Sequence, residues 1–167
     1  MGSGPSFSYY PVGAKVIAVD SHAGRIEAAR QRAQATGRDV ELRVMDAQRL
    51  EFPDGLFDCA VSTLVFCSVP DPVLGLRELG RVVKPGGEIR LVEHVRIDRP
   101  LVGTLMDCLD PLMMWVAREH LNRRTVANVA LAGLPIESVE DLVSSGWVKY
   151  IVARSPARGP LATGDPR

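Results

Sequence analysis

Strand-like and helix-like segments alternate along the first 94 residues, and this alternation constrains the fold more than any other feature. Residues 15–19 form a short β-branched run that stops at Asp20, and residues 25–35 follow with helix-forming side chains. Val40, Leu42 and Val44 then begin a second strand. Segments of this kind joined by short connections predict a parallel sheet with helices on both faces.

The next strand and helix continue the pattern. Residues 57–66 are nearly all apolar, which predicts a strand buried on both faces at the centre of the core. Asp71 and Pro72 are typical of a helix start, and a further strand follows that ends at Glu93 and His94. Three strand–helix alternations predict an α/β fold with a Rossmann-like, doubly wound, mostly parallel sheet.

The C-terminal part has a different character. Residues 101–132 predict one long helical region, and residues 136–143 and 147–153 predict an antiparallel hairpin. The Pro-, Gly- and Arg-rich tail from residue 155 has little to bury and is predicted to be disordered. We therefore expect one domain over residues 1–154 and a tail over residues 155–167.

Charge and cysteine content narrow the function classes. Twenty basic residues balance twenty acidic ones, which disfavours a nucleic-acid partner. The three cysteines lack the paired spacing of zinc sites, so we expect reduced, structural thiols and no metal. No secretory signal opens the sequence, which favours a cytoplasmic protein.

The residues of chemical interest follow the strands, because ligands of parallel sheets bind beyond the carboxyl ends of the strands. The carboxylate of Asp20 has two acceptor oxygens that suit a pair of ribose hydroxyls, although a strand-terminal Asp also caps helices well. Asp46 with Ala47 could accept an adenine amine or simply form a turn.

Taken together and in order, these segments resemble a known family. They include Val19-Asp20, Met45-Asp46-Ala47, Phe57-Asp58, Ser62-Thr63-Leu64-Val65-Phe66-Cys67, Arg77-Glu78-Leu79 and Lys84-Pro85-Gly86-Gly87. This order is similar to that of the type-11 class I methyltransferases. Further segments, Leu91-Val92-Glu93-His94 and His120-Leu121-Asn122-Arg123, resemble the branch that acts on phosphatidylethanolamine, quinones or thiols.

The resemblance implies S-adenosyl-L-methionine as cofactor and assigns residues to it. Asp20 and Ser21 would lie at the ribose, and Asp46 and Ala47 at the adenine. Ser62, Thr63 and Leu64 would border the methionine part. Gly2 and Gly4 match the last two glycines of the family's glycine-rich loop, where a missing Cβ lets the backbone approach the cofactor.

The beginning of that glycine-rich loop has no counterpart in this sequence. We therefore expect a truncated methyltransferase whose first, central strand is missing between the strand ending at Asp20 and the strand from Phe57. Such a gap leaves two rows of unpaired backbone groups, which are costly when buried. Residues upstream of Met1 in the native gene are the favoured way to fill it.

Methyl transfer from a sulfonium depends mainly on positioning, so few catalytic residues are required. His94, at a strand end, is the candidate base, with simple hydrogen bonding to a neighbouring loop as the alternative. The Met- and Leu-rich residues 101–117 favour ordinary helix packing, with a lid over a small lipophilic acceptor as the second interpretation. The same apolar stretch could make peripheral contact with a membrane.

Two rival functions remain at the level of sequence. A nicotinamide dehydrogenase would share the sheet and Asp20, but it requires a full GxGxxG motif, which residues 3–10 lack. A methyltransferase-like protein without activity, or with impaired cofactor binding, is the stronger alternative, because a fold can persist after its site is lost.

Overall fold

The computed structural model describes residues 2, 4–116 and 120–157. Within these residues, four α-helices and six β-strands follow one another in the order expected for an α/β chain. The strands are β1 (Val16–Asp20), β2 (Val40–Val44), β3 (Phe57–Thr63), β4 (Val83–His94), β5 (Ile136–Asp141) and β6 (Val148–Arg154). The helices are α1 (Ala23–Thr36), α2 (Pro72–Val82), α3 (Pro100–Val116) and α4 (Thr125–Leu131).

The strands form two sheets. Strands β1 and β2 pair in parallel, and a four-stranded sheet has the order β3-β4-β6-β5. Strand β4 is parallel to β3 and antiparallel to β6, and β5 and β6 form the predicted C-terminal antiparallel hairpin. The α/β class and the mixed, Rossmann-like sheet are therefore confirmed.

The break between the two sheets lies between β1 and β3, where we expected a strand to be missing. Within the described residues each of these strands pairs with one neighbour only. Ile17 and Val19 of β1 nevertheless pack against the same cluster as Phe57 of β3, built on Leu50 and Phe52. Side-chain packing thus links the two sheets across the missing ladder of hydrogen bonds.

The expectation that β3 is buried on both faces is wrong. Cys59, Val61 and Thr63 alternate on one face of the strand and are exposed, and Val61 is 47% exposed. Helix α2 packs on β4, whereas α1 packs on β1 and β2. Ala18 faces α1 and Ile17 faces the α2 side, so helices lie on opposite faces of the fold.

The main core lies on the α2 side of the four-stranded sheet. Ile89 and Leu91 of β4 and Ile151 of β6 are fully buried there. They pack against Leu76 of α2 and Val129 of α4. This layer fixes the four-stranded sheet against two helices and holds the carboxyl end of β4 in place.

The single long helix predicted for residues 101–132 is wrong, because α3 and α4 are separate. The carboxylate of Asp110 accepts hydrogen bonds from the backbone N–H groups of Leu121 and Asn122, which turns the chain back toward α3. The backbone oxygen of Arg123 then accepts from the N–H of Arg96, after the end of β4. These bonds replace continuation of the helix.

Ordinary packing is also the wrong interpretation for much of α3. Gly103 and Met106 are buried, but a stripe at helical spacing is exposed: Val102, Leu105, Leu109, Leu112 and Val116. Among the described residues, no helix combines the length and the apolarity needed to cross a membrane.

Of the three cysteines expected to be structural, Cys67 is buried, whereas Cys59 and Cys108 are exposed. The first residue of the predicted disordered tail is packed, since Ser155 is buried and donates to the backbone oxygen of Gly80. Residues 158–167 of that tail lie outside the described residues.

Candidate functional site

The carboxyl ends of the parallel strands bring the predicted ligand-binding residues to one edge of the fold. Strand β1 ends at Asp20, and its backbone oxygen accepts from the N–H of Met45, which directly precedes Asp46. Strand β3 ends at Thr63, beside Val92 of β4. This is the edge at which ligands of open α/β sheets bind.

Asp20 is buried and is fixed by the backbone on both sides. One carboxylate oxygen, Oδ2, accepts from the N–H of Gly2 at 2.9 Å, and the other, Oδ1, accepts from the N–H of His22 at 2.9 Å. Arg25 lies 4.0 Å from the same carboxylate. Ser21 is exposed, and its hydroxyl contacts Nδ1 of His22 at 3.0 Å. Gly2 and Gly4, here called the glycine segment, therefore contact Asp20 through the N–H of Gly2.

Gly4 has a backbone conformation that few other residue types could adopt. Its φ is +76°, and a Cβ at this position would lie 2.3 Å from the ring of Phe7. Phe7 is itself 1% exposed and packs against Ala18, Ala29 and Ala33. Gly4 thus anchors the glycine segment to the α1 side of β1.

Asp46 is exposed and forms the turn that the sequence left as an alternative. Its carboxylate accepts from the backbone N–H of Gln48 at 2.9 Å and from the side-chain amide of the same residue. The amide oxygen of Gln48 then accepts from the N–H of Asp71, the N-cap of α2. Ala47 is half-buried against the main core. The adenine contact expected of Asp46 and Ala47 stays a prediction.

Glu93 organises the loop after β3; its place at a strand end was expected from the sequence, but no role at the site was assigned to it. Its side chain is fully buried and accepts three hydrogen bonds, from the hydroxyl of Ser62 at 2.9 Å and the N–H groups of Val65 and Phe66 at 3.0 and 3.1 Å. Burial raises the pKa of Glu93 despite these bonds. The sequence signal was an acidic residue at the end of an apolar strand.

The loop held by Glu93 is the one expected to border the methionine part of the cofactor. Leu64 has a φ of +53°, in the left-handed region, and its N–H donates to the backbone oxygen of Val92 at 2.8 Å. Thr63 and Leu64 are exposed, whereas Ser62 is buried. A strained, anchored loop with exposed backbone is suited to holding a ligand in one position.

His94 stacks on an aromatic ring. The imidazole lies parallel to the Trp147 indole, with ring centroids 4.5 Å apart and 8° between the planes. Its backbone oxygen accepts from the hydroxyl of Thr125. The catalytic role assigned to His94 stays a prediction.

A second histidine has a carboxylate partner. Nδ1 of His120 lies 2.7 Å from Oδ2 of Asp110, and the N–H of His120 donates to the backbone oxygen of Cys67 at 3.0 Å. Burial opposes ionisation of Asp110, but hydrogen bonds from His120 and Leu121 outweigh it, so the pKa of this carboxyl lies below its usual range. No catalytic role was predicted for this pair from the sequence.

The edge that carries Asp20 and Glu93 is distinct from two surface concavities of the described residues. A concavity of about 290 Å³ lies elsewhere, between α1 and β2 near Arg38. Another of about 240 Å³ lies between Arg96 and Lys149. The residues at this edge fit S-adenosylmethionine. The buried carboxylate of Asp20 can accept hydrogen bonds from the ribose hydroxyls, and Gly2 and Gly4 leave room for close approach of the backbone.

Comparisons with known proteins agree with this geometry. A family model described as a methyltransferase domain matches residues 1–91, more than half of the chain. A phosphatidylethanolamine N-methyltransferase of Cereibacter sphaeroides is 34% identical over 101 residues, 59% of this chain and 50% of that protein. A thiol S-methyltransferase of Rattus norvegicus is 35% identical over 98 residues, 56% of this chain and 40% of that protein.

A solved structure shows the same fold over a longer span. The S-adenosylmethionine-dependent methyltransferase of Methanosarcina mazei superposes with a TM-score of 0.70 and 22% identity, covering 94% of this chain and 90% of that one. By contrast, the chain spans half or less of the length of the two curated relatives.

The fold and the strand-end site therefore define a class I methyltransferase-like α/β protein. The chain belongs to the methyltransferase-domain family that the sequence resemblance indicated. The prediction of S-adenosylmethionine as cofactor is confirmed at the level of this family.

Proposed function

We propose that this protein transfers a methyl group from S-adenosylmethionine to a small, lipophilic acceptor. The observation that carries the proposal is the hydrogen bond from the N–H of Gly2 to Asp20, together with the loop fixed by Glu93, both at the carboxyl ends of parallel strands. When bound, the cofactor supplies an electrophilic methyl carbon. The protein's part is to hold that carbon and the acceptor in line and to exclude water.

In this proposal different residues bind different parts of the cofactor. Asp20 holds the ribose hydroxyls, with Gly2 keeping the carboxylate in place, and Asp46 and Ala47 lie at the adenine. Ser62, Thr63 and Leu64 border the methionine part, in a loop whose backbone is fixed by Glu93. Each role is the one that the family resemblance implies, and the strand-end positions and hydrogen bonds described above support it.

The lipophilic acceptor is supported by the exposed apolar side of α3, which follows the last parallel strand. Leu105, Leu109 and Leu112 are 58%, 41% and 55% exposed. Two relatives are named for a phospholipid and a thiol substrate, and both are compatible with an apolar acceptor. An apolar acceptor next to this helix would remove water from its surface on binding.

Methyl transfer from tritiated S-adenosylmethionine to a panel of thiols, quinols and phosphatidylethanolamine tests the proposal. We expect label in at least one apolar acceptor, and label confined to polar metabolites would refute the acceptor class. Asp20→Asn should weaken cofactor binding roughly ten- to a hundredfold, as expected for a lost charged acceptor. Asp39→Asn is the matched control, because Asp39 precedes β2 at the opposite edge.

A protein that keeps the fold without catalysis is the second candidate, and the break between β1 and β3 favours it. A strand missing beside the glycine segment would leave Asp20 less rigidly placed. This candidate predicts no methyl transfer to any acceptor and no saturable binding of S-adenosylmethionine. Calorimetry with S-adenosylmethionine separates it from the first proposal.

A further inference from the structure

We propose that His120, oriented by Asp110, is the catalytic base that removes a proton from the acceptor, and that the acceptor is therefore a thiol or a hydroxyl compound. The inference rests on the proposed function and adds to it the chemical class of the acceptor. Its basis is the juxtaposition of the His120–Asp110 pair with the loop after β3.

The carboxylate of Asp110 holds one ring nitrogen of His120 in place. Nδ1 of His120 lies 2.7 Å from Oδ2 of Asp110, while Oδ1 accepts from the N–H of Leu121 at 2.7 Å. Asp110 is 8% exposed, so its carboxylate is anchored inside the fold. The His120 side chain is 27% exposed and remains open to a ligand.

The hydrogen bond also sets the tautomer. A carboxylate can only accept, so Nδ1 of His120 must carry the proton that it donates to Asp110. In the neutral ring Nε2 then has a free lone pair, which is the state required of a base. None of the described residues forms a hydrogen bond to Nε2.

The position of His120 places the pair beside the expected cofactor site. Its N–H donates to the backbone oxygen of Cys67, one residue beyond Phe66, whose own N–H is bound by Glu93. At the other side of the segment, Thr125 donates to the backbone oxygen of His94. Residues 120–125 therefore lie over the carboxyl ends of both β3 and β4.

Among the described residues, Arg123 is a charged neighbour of the pair. Arg123, on the same segment as His120, donates to the backbone oxygen of Val69 at 2.7 Å, and burial lowers the pKa of its guanidinium. Asp110, Asp71 and Cys67 act on Arg123 from α3 and from the connection before α2. Within the described residues, the partly buried guanidinium of Arg123 therefore lies near both the carboxylate of Asp110 and that of Asp71.

The proton and electron balance is complete with these groups. The acceptor's S–H or O–H proton moves to Nε2 of His120, and the electron pair left on sulfur or oxygen forms the bond to the methyl carbon. The bond between that carbon and the sulfonium breaks, and its electron pair stays on sulfur. The products are the methylated acceptor, S-adenosylhomocysteine and a protonated His120, which returns its proton to water.

The test compares acceptors that need a base with acceptors that do not. At neutral pH 4-nitrothiophenol is largely ionised, whereas hexanethiol keeps its proton; 4-nitrophenol and 4-methylphenol form the oxygen pair. His120→Asn should lower transfer to the protonated member of a pair on the order of 10²-fold. Transfer to the ionised member should change less than threefold. A purely structural role would lower both members equally.

Asp110→Asn tests the positioning role, with Asp107→Asn as the matched control. Asp107 lies one turn earlier on α3, and its partners are Arg96 and Asn122 rather than His120. We expect Asp110→Asn to show the same selective loss as His120→Asn and Asp107→Asn to show none. Thermal unfolding and S-adenosylmethionine binding of each variant show that fold and cofactor site are kept.

The outcomes separate this inference from the proposed function. Equal loss for both members of a pair, or no loss in His120→Asn, overturns the inference and leaves methyl transfer intact. Methylation of phosphatidylethanolamine alone, with no transfer to any thiol or phenol, does the same. Absence of transfer by the unmodified protein to every acceptor overturns both.

Discussion

Replacement of Glu93 by alanine should destabilise the protein and loosen the loop after β3. The carboxylate is fully buried and accepts from the N–H groups of Val65 and Phe66 and from the hydroxyl of Ser62. The hydroxyl can rotate to another acceptor, but the two N–H groups cannot. Each buried N–H without an acceptor costs roughly 1–3 kcal/mol.

The two orphaned groups together would cost roughly 2–6 kcal/mol. Removal of a buried carboxylate offsets part of this cost, because burial disfavours the charge and raises the pKa of Glu93. We therefore expect a net loss of about 2–4 kcal/mol in the free energy of unfolding, a large part of the roughly 5–15 kcal/mol typical of a domain.

Urea unfolding followed by tryptophan fluorescence measures this change. For a slope of about 2 kcal/mol per molar urea, the midpoint should fall by about 1–2 M with the slope unchanged. Glu88→Ala is the matched control on the same strand, because Glu88 is half-exposed and pairs with Arg90 and Arg154. If Glu93→Ala shifts the midpoint no more than Glu88→Ala does, the role given to Glu93 is wrong.

Two further predictions use the same assay. Gly4→Ala should lower the free energy of unfolding by about 2–4 kcal/mol, because the new side chain adds left-handed strain and overlaps with Phe7. Gly13 has a φ of +85° but open space around it, so Gly13→Ala should cost only about 1–2 kcal/mol. Equal costs for the two variants would contradict the overlap with Phe7. Because burial raises the pKa of Glu93, its contribution to stability is full at pH values below the ordinary glutamate range and is lost as the pH rises through the raised value. The unmodified protein should therefore lose stability relative to Glu93→Gln over that interval, and a difference that does not vary with pH would contradict the shift.

The alternation of strands and helices was predictable because it depends on local periodicity. The same reasoning placed Asp20 and Ser62 at strand ends, and the helix start at Asp71 is confirmed by its side chain, which accepts from the N–H of Leu74. Burial was less predictable. Val61 lies in an apolar strand but is exposed, since its burial depends on whether another element covers that face.

Long-range hydrogen bonds account for the site residues whose roles could not be assigned from the sequence. Glu93 bonds to residues 27–31 positions away, and the Asp110–His120 pair closes a turn that ends α3 early. A helical pattern continues through residues 117–124, so periodicity alone gave no sign of that turn. His94 was favoured for its position at a strand end, which could not reveal its stacking on Trp147.

Photo-cross-linking of tritiated S-adenosylmethionine, with the labelled peptides mapped, tests the central claim most directly. We predict label in the peptides that carry Asp20, Asp46 and the loop at residues 62–66, and its loss when unlabelled S-adenosylmethionine competes. Label confined to the concavity near Arg38, between α1 and β2, would contradict the site at the carboxyl edge. Absence of any competed label would contradict the account as a whole.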